Sequence, residues 1–286
     1  SKLLGNDIIF IAIQNAARYE FSYNQLLYLK KINKLNPNKI FHIPNYYCFG
    51  DQEEQDCKKY NINVKNFFKC GSLRLSNYLN YLEKKKILIE ENYYDLSIIS
   101  EPVNSNLPLI FSRKDILIEM AKINKFVIKY CLSKNLNFLF ITKRRSGKDQ
   151  EEEMQYYRNY LSDNEFDYLN KNLMKVDKEN YSSYQAIHSS NLVIGSVSTM
   201  LRDKLALKGK ILSCNFSNLE CNDFPIKGIC FLKNPSYIEF EERVSLILKM
   251  KTKEYFSKIQ NKKLINLKAN KPTFDYLNSH LDQILE

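Results

Sequence analysis

Residues 189–212, SSNLVIGSVSTMLRDKLALKGKIL, decide the fold of this chain. A short apolar run from Leu192 to Ile194 ends at Gly195, and three small hydroxyl side chains follow within four positions. A helical pattern comes next and stops at Gly209, after which a second apolar run begins. Strand, turn, helix and strand in this order are typical of a parallel sheet whose strands are connected by helices.

The hydroxyl side chains of Ser196, Ser198 and Thr199 predict a site for phosphate. In an open parallel sheet, ligands bind at the carboxyl ends of the strands. A helix that begins near Thr199 would offer unpaired backbone N–H groups and the positive end of its dipole to an anion. The alternative is plain helix capping, but a cap needs only one hydroxyl, and this turn has three.

The same alternation of strand and helix extends over nearly the whole chain. Apolar runs predict strands at 6–13, 39–44, 64–70, 94–100, 136–142, 210–216 and 228–233, with a shorter strand around 166–175. Helical spacing predicts helices at 23–35, 51–62, 113–135, 149–161, 181–190, 237–250, 252–260 and 273–285. Two such series predict an α/β protein with two Rossmann-like, doubly wound domains facing a cleft.

Composition and charge narrow the functional classes. The net charge of +11 favours nucleic acid, an anionic membrane surface or phosphorylated ligands as partners. The arginine–aromatic interleaving of an RNA-binding surface is absent, and the abundant Lys, Asn, Ile and Tyr indicate AT-rich coding. No apolar run approaches the roughly 18 residues of a membrane span, and the start has no signal-peptide pattern. We therefore expect a cytoplasmic protein, with weak association with the inner face of the membrane left open.

Cysteine and histidine spacing predicts no metal site. The seven cysteines include no pair at zinc or redox spacing, which predicts reduced thiols. The three histidines are not spaced as ligands either.

The segment 177–212, DKENYSSYQAIHSSNLVIGSVSTMLRDKLALKGKIL, resembles the donor site of B-type (GT-B) glycosyltransferases, especially bacterial lipopolysaccharide and capsule biosynthesis proteins. The family's pattern has an acidic residue, a short Ser-Tyr helix, a strand, a Ser-Thr turn and a helix with an acidic residue. Asp177, Tyr184 and Asp203 occupy the acidic and tyrosine positions here. The family's usual Gly after Ser-Thr-Leu is absent, and Asp203 stands where Glu is common.

Three further stretches fit the resemblance in the same order along the chain. They are DIIFIAIQNAARYEFSY from residue 7, YYCFGDQEEQDCKKYNI with NFFKCGSLRLSNY from residues 46 and 66, and NFLFITKRRSGKDQEEEMQYYRNYL from residue 137. The resemblance implies an acceptor-side domain at 1–88 and a donor-binding domain at 89–267. It also implies that the last helix, within 268–286, returns to the N-terminal domain.

The resemblance implies roles for several side chains around the donor. Lys143, Arg144 and Arg145, after a strand end, would offset phosphate charge, or else form a solvated loop. Arg202 would reach the same phosphates, or else lie on the surface. Glu101 would contact either the nucleotide-sugar donor or the acceptor. Tyr181 and Tyr184 would stack on the base or ribose of the donor, or else lie in the core.

Sugar transfer with inversion needs a base that takes the proton of the acceptor hydroxyl. Glu20, after the first strand, is the first candidate, and Asp51 is the second. The resemblance implies a metal-independent glycosyltransferase without a cofactor. Its substrates would be a nucleotide-sugar donor, in CMP, UDP or GDP form, and a glycan or lipid-linked glycan acceptor.

Three other functions stay open at this point. A sugar-nucleotide epimerase shares the fold and a similar turn, but needs acidic and histidine groups that the sequence does not place. A polyol-phosphate transferase would use a Ser-Ser/Thr turn and typically adds a catalytic histidine. A basic nucleic-acid-binding module would show steeply salt-dependent affinity, whereas the transferase hypothesis expects no nucleic acid partner.

Overall fold

The computed structural model describes residues 10–14, 42–100, 114–142, 147–177, 179–217, 219–266 and 273–285. The chain divides into two compact units. The first unit is Ser1–Ile87 with Lys262–Glu286, and the second unit is Leu88–Asn261. Glu20, Glu101 and the basic loop 143–146 of the sequence-based predictions lie outside the described residues.

The first unit contains a parallel sheet of three strands in the order β1-β2-β3. These are β1 (Ile11–Ile13), β2 (His42–Cys48) and β3 (Asn63–Lys69). Helix α1 (Asp51–Lys59) connects β2 to β3, and α2 (Leu73–Lys85) follows β3. Acidic side chains in the first turn of α1 and lysines in its last turn complement the helix dipole.

The second unit contains a parallel sheet of five strands in the order β5-β4-β6-β7-β8. The strands are β4 (Tyr94–Ile99), β5 (Phe138–Ile141), β6 (Ser190–Gly195), β7 (Lys210–Asn215) and β8 (Phe231–Lys233). With the sheet of the first unit, this confirms the predicted α/β class with two parallel sheets.

Helices connect β4 to β5, β5 to β6 and β6 to β7, and two more helices of this unit follow β8. In chain order they are α3 (Lys114–Lys134), α4 (Lys148–Tyr160), α5 (Asp163–Lys171), α6 (Ser182–His188), α7 (Thr199–Ala206), α8 (Tyr237–Lys249) and α9 (Thr252–Ser257). The central strands β6 and β7 are buried almost throughout, because helices cover both faces of a doubly wound sheet. Their continuous apolar runs are the signature of this burial.

The shorter strand predicted around 166–175 is wrong: helix α5 occupies most of that stretch. Ser162 accepts the backbone N–H of Glu165, and the Glu165 carboxylate accepts the backbone N–H of Ser162. This capping box starts the helix and overrides the strand propensity of the aromatic residues. Only Leu173, beyond the helix, pairs with a strand residue, Phe140.

Strand β2 lies further along the chain than the run at 39–44 predicted. It passes through Pro44, which has no N–H to donate, and pairs with β3 on either side, at Ile43↔Val64 and Asn45↔Asn66. The proline therefore lies inside the strand and does not end it.

Helix α10 (Thr273–Leu285) contributes a buried histidine to the first unit. His280 Nδ1 lies 2.5 Å from the hydroxyl oxygen of Tyr47, on β2. The His280 ring centroid is 3.9 Å from that of Phe68, on β3. Burial lowers the pKa of His280, which favours the neutral form of the ring.

Two further observations bear on the chemistry of the chain. The cysteines whose side chains are described, Cys48, Cys57, Cys70, Cys131, Cys214 and Cys230, are all buried free thiols. Among the helices of the described residues, none combines the length and the apolar character that crossing a bilayer requires.

Candidate functional site

The order of the five-stranded sheet identifies one edge as the place for a ligand. In chain order within the unit, the strands lie second, first, third, fourth and fifth. The chain therefore reverses direction across the sheet between β4 and β6, and doubly wound folds bind ligands outside the carboxyl ends of the strands at such a switch point. Ile98 pairs with Ile194, so both strands end at the same level, just before Ser100 and Ser196.

The turn at this edge contains the three hydroxyl residues that the sequence analysis selected. Ser196 is fully buried, and its carbonyl oxygen accepts a 2.6 Å hydrogen bond from Ser213 Oγ at the neighbouring strand β7. Ser198 is the N-cap of α7, and its hydroxyl accepts from the backbone N–H of Met200 at 3.3 Å. Thr199 is the first residue of the helix. The beginning of α7 thus lies directly at the switch point.

Capping by Ser198 is compatible with phosphate binding. A serine hydroxyl has two acceptor positions and one O–H donor. Accepting the Met200 N–H uses an acceptor position, whereas a phosphate oxygen needs the donor. The two roles that the sequence left as alternatives therefore involve different parts of the same hydroxyl group.

Gly195 has an ordinary backbone conformation. Its φ lies outside the left-handed region. A Cβ added there would meet Ile99 Cβ at 3.6 Å and Leu201 Cδ1 at 3.5 Å, which are ordinary packing distances. Neither its backbone conformation nor its surroundings therefore require a glycine at this position.

A buried hydrogen bond joins two parts of the donor-site pattern. The Tyr184 hydroxyl, on α6, donates to Asp203 Oδ2, on α7, at 2.9 Å, and both residues are buried. Of the two roles predicted for Tyr184, its 8% exposure fits the core position. The tyrosine and the acid of the pattern thus hold α6 and α7 together behind the turn.

Arg202 lies in the interior, with 1% of its surface exposed, so the alternative of a surface position is wrong. It is the largest fully buried side chain of the described residues. A buried guanidinium needs acceptors or an anion, because desolvating an unpaired charge is costly. Its contact with a donor phosphate remains a prediction.

Tyr181 stands in a turn that Asp177 organises. Asp177 Oδ1 accepts the backbone N–H groups of Glu179 and Asn180, and its Oδ2 accepts from Asn180 Nδ2 at 2.6 Å. These hydrogen bonds lower the pKa of Asp177, the Asn180 side chain contributing most. Tyr181 follows with φ 54° and ψ 38°, a left-handed conformation that bulky residues rarely adopt. The acid of the pattern is therefore a structural residue that sets up the turn carrying Tyr181.

A second polar group at this edge was missed by the sequence analysis. Ser100, directly after β4, donates to Glu153 Oε1 at 2.6 Å, and the Tyr157 hydroxyl donates to the same oxygen at 3.3 Å. Asn124 Nδ2 in turn donates to the Tyr157 hydroxyl at 2.7 Å. All four residues are buried, and burial raises the pKa of Tyr157.

One sequence signal could have drawn attention to this network. Glu153 and Tyr157 are four residues apart, so they share one face of α4. Glu153 is, however, the third of three consecutive glutamates, and nothing in the sequence separates the buried one from the two that are less buried.

In the first unit, Asp51 lies in a surface ion pair. Its Oδ1 is 2.6 Å from Lys69 Nζ, and 53% of its side chain is exposed. Lys69 also contacts Glu54 Oε2 at 2.7 Å, and the hydrogen bonds from Lys58 and Lys69 lower the pKa of Glu54 to about 2. The role of Asp51 as second candidate base remains a prediction, and it would require the carboxylate to leave Lys69.

The buried acid at this end of the three-stranded sheet is Glu53. Its Oε1 accepts from Gln14 Nε2 at 3.2 Å, and Gln14 Oε1 accepts the backbone N–H of Phe49 at 2.9 Å. Gln14 follows β1 and Phe49 follows β2, so Glu53 and Gln14 tie the ends of two strands together. Because Glu53 is 0% exposed, its position fits a structural role.

Among the described residues, no group of three or more His, Cys, Asp or Glu side chains is placed to hold a metal ion. The turn 196–199, Tyr181 and Arg202 lie in the second unit, and Asp51 lies in the first. The structure thus brings the Ser-Thr turn to the switch point of the larger sheet.

The comparisons with known proteins identify a family. The sequence profile of a family described as "putative O-antigen biosynthesis protein" matches residues 12–222. This is well over half of the chain, and the chain belongs to that family. The resemblance to lipopolysaccharide biosynthesis proteins is thereby confirmed. No curated protein matches the chain significantly.

A search of solved structures finds sucrose-phosphate synthase from Thermosynechococcus elongatus, at 10% sequence identity and a TM-score of 0.38. The match covers 84% of this chain but only 58% of the synthase, so the chain spans less than two thirds of that protein.

Proposed function

We propose that this member of the O-antigen biosynthesis family is a B-type glycosyltransferase, which moves a sugar from a nucleotide-sugar donor to a glycan acceptor. The observation that carries the proposal is the turn 196–199, which begins α7 at the switch point of the five-stranded sheet. O-antigen is a polysaccharide, and its assembly needs enzymes that transfer sugars. Family membership and this geometry therefore support the same activity.

In this proposal the donor phosphate binds at the beginning of α7. Backbone N–H groups of the first helical turn and the hydroxyls of Ser198 and Thr199 donate to its oxygens. Arg202, Lys143, Arg144 and Arg145 supply positive charge as the nucleotide leaves. Tyr181, held half-buried in its strained turn, lies against the base or ribose.

The donor-binding part would be 89–267, and the acceptor part would be 1–88 with the last helix, 268–286. Glu20 would take the proton of the acceptor hydroxyl. The basic residues and the beginning of α7 would offset the phosphate charge, so no metal would be needed. We expect the enzyme to act in the cytoplasm, at the inner face of the membrane if the acceptor is lipid-linked.

A nucleotide titration of Ser198→Ala/Thr199→Ala tests the phosphate site. The folded double variant should bind CMP, UDP or GDP, whichever the wild type prefers, at least about tenfold more weakly, because hydrogen bonds to a charged group contribute about 1.5–3 kcal/mol each. Affinity for the nucleoside without phosphate should hardly change. Isothermal titration calorimetry measures both.

Ser162→Ala is the matched control, since Ser162 caps α5 in the same way, away from the turn. It should lower stability but leave nucleotide affinity intact. Wild-type nucleotide affinity in the folded double variant would show that the hydroxyls are only structural.

The proposed base is tested separately by Glu20→Gln. General base catalysis contributes roughly 10²–10⁴-fold, so turnover should fall by that factor while nucleotide affinity stays the same. Retained full activity would move the role to Asp51 or Glu101.

A further inference from the structure

A cavity in the larger unit lies at the edge of the five-stranded sheet where the strands begin, opposite to the turn 196–199. It has a volume of about 210 Å³. Its walls come from the turn before β4, with Glu91 and Asn92, from the first residues of β6 and β7, and from the turn between α7 and β7. None of the residues assigned to the donor lines it.

Two buried lysines supply positive charge to this cavity. Lys204 and Lys210 are each only 4% exposed. Lys204 Nζ donates to the carbonyl oxygens of His188 at 3.1 Å and Ser190 at 2.7 Å. Lys210 Nζ donates to three carbonyl oxygens at the end of α8. These carbonyl groups satisfy N–H donors but carry no net charge.

A third lysine is available at the rim. Lys208 is exposed, in the left-handed conformation with φ 63°, and its backbone N–H donates to the carbonyl oxygen of Leu205. Its ammonium group has no hydrogen bond or ion pair to any described residue. The cavity thus has three ammonium groups against one carboxylate, that of Glu91, an excess of two positive charges.

No ion pair between described residues neutralises these lysines. The pKa of Lys204 is lowered to about 8, mainly by burial; the charge of Glu91 opposes this shift and that of Lys210 adds to it. Buried charges are normally paired, because the desolvation of an unpaired charge is costly. An anion in the cavity would supply the missing charge.

The dimensions of the cavity limit the size of the anion. A water molecule takes about 30 Å³ of liquid volume, so the cavity holds a tetrahedral oxyanion with a few waters but is below the roughly 300 Å³ of a typical pocket for a drug-sized ligand. Lys204 uses two of its three N–H donors on carbonyl groups, which leaves one for a ligand.

We propose that this cavity, formed by Glu91, Lys204, Lys208, Lys210 and their neighbours, binds a phosphate-type oxyanion, either the free ion or the phosphoryl group of a small phosphomonoester. The lysines at its base attract the anion, and Lys208 closes on it from the rim. The site is independent of the nucleotide-sugar function, since it shares no residue with the turn 196–199.

Titration with inorganic phosphate tests the site, at ionic strength held constant with chloride. Amide NMR shifts should move saturably at 207–210 and at Glu91 and Asn92. They should move in the same way in Ser198→Ala/Thr199→Ala, which excludes the turn at the opposite edge as their source. Absence of saturable shifts at these amides, or shifts confined to 195–200, would overturn the proposal.

Variants of residues in the cavity wall provide a stricter test, because they should change phosphate affinity in opposite directions. Lys208→Asn removes a charge while tolerating the left-handed backbone, and should weaken phosphate binding at least about threefold. Glu91→Gln removes the opposing carboxylate and should tighten it. Lys171→Ala, an exposed lysine at the end of α5, is the matched control and should change nothing. Equal dissociation constants in all these proteins would contradict the proposal.

Glycerol 3-phosphate, as a second probe, distinguishes the two sources of the ligand. Tighter binding of the monoester than of inorganic phosphate identifies a phosphorylated metabolite as the ligand, and the reverse order identifies the free ion. If neither probe binds saturably, the cavity is not an oxyanion site.

Discussion

The two edges of the five-stranded sheet differ in how they provide positive potential. At the carboxyl edge, α7 begins with the neutral hydroxyls of Ser198 and Thr199 and with backbone N–H groups. At the amino edge, α6 and α8 end, and the ammonium groups of Lys204 and Lys210 donate to the carbonyl groups there. One edge presents dipoles, and the other presents full charges.

The difference follows from the polarity of the fold. Helices that connect parallel strands run antiparallel to them, so helix beginnings gather at the carboxyl edge and helix ends at the amino edge. Helix beginnings leave N–H groups unpaired, whereas helix ends leave carbonyl groups unpaired. Unpaired carbonyl groups need hydrogen-bond donors. The ammonium group of a buried lysine is such a donor, and it also carries a positive charge. The amino edge therefore acquires its charge through capping.

The largest loss of stability is expected from Gly209→Ala, which disturbs Lys204 at the amino edge of the sheet. An added Cβ would overlap Cδ and Cε of Lys204 and lie 2.7 Å from its Nζ. The lysine would have to leave the carbonyl groups of His188 and Ser190, and each hydrogen bond to a charged group contributes about 1.5–3 kcal/mol. Urea unfolding measures the loss.

Gly147→Ala is the control for this variant. A Cβ at Gly147 meets nothing within 4 Å, but its φ of +67° is unfavourable for alanine, so a loss of only about 1–2 kcal/mol is expected. Equal losses in the two variants would mean that Lys204 does not depend on the space above Gly209.

The next largest effect concerns the support behind the carboxyl edge. Tyr184→Phe removes the buried hydrogen bond to Asp203 and should lower the free energy of unfolding by about 1.5–3 kcal/mol. Tyr160→Phe is the control, because the Tyr160 ring stacks on Tyr156 but its hydroxyl has no hydrogen bond to any described residue. Loss of nucleotide affinity without loss of stability would instead assign Tyr184 to the donor.

The two edges should also differ in how they affect the pH dependence of stability, because the buried lysines lie at the amino edge. The pKa of Lys204 is lowered to about 8 in the folded chain, so the unfolded chain binds more protons between about pH 8 and the ordinary lysine pKa of about 10.4. Because of Lys204, the free energy of unfolding should therefore rise with pH in this window, by at most about 1.4 kcal/mol per pH unit. Below about pH 8, Lys204 should cause no pH dependence of stability.

This prediction is measured as the difference in unfolding free energy between the wild type and Lys204→Gln at several pH values. The subtraction removes the buried thiols and tyrosines, whose raised pKa values act in the opposite direction in alkaline solution. A difference that does not change between pH 7 and pH 10 would refute the lowered pKa.

The smallest effect is expected from Ser198→Ala alone. Loss of an N-cap costs about 1 kcal/mol, and the melting temperature should fall only slightly. A much larger loss would mean that the carboxyl edge, like the amino edge, depends on one buried polar contact.

Sequence patterns predicted the strand, turn and helix of 189–212 because β6, α7 and β7 are neighbours in both sequence and space. Their apolar runs and the Ser198 cap are local signals. The strand predicted around 166–175 failed for a related reason: the capping box of Ser162 and Glu165 is also local, but aromatic composition outweighed it in the prediction.

Several parts of the site depend on contacts between segments that are distant in the sequence. Sequence patterns did not predict these contacts. The Ser100–Glu153 and Tyr184–Asp203 hydrogen bonds join residues 53 and 19 positions apart. Which of three consecutive glutamates is buried depends on how α4 packs against β4 and β5, and helical periodicity alone leaves that rotation undetermined.

By itself, the sequence determined the α/β class, the hydroxyl-rich turn and its position at the start of a helix, since each is encoded by neighbouring residues. Only the tertiary structure decided the strand order that makes this turn a switch point, the burial of Arg202 and the gathering of lysines at the opposite edge. These depend on which strands pair and on which helix ends meet, and such long-range contacts are selected by the packing of the whole unit.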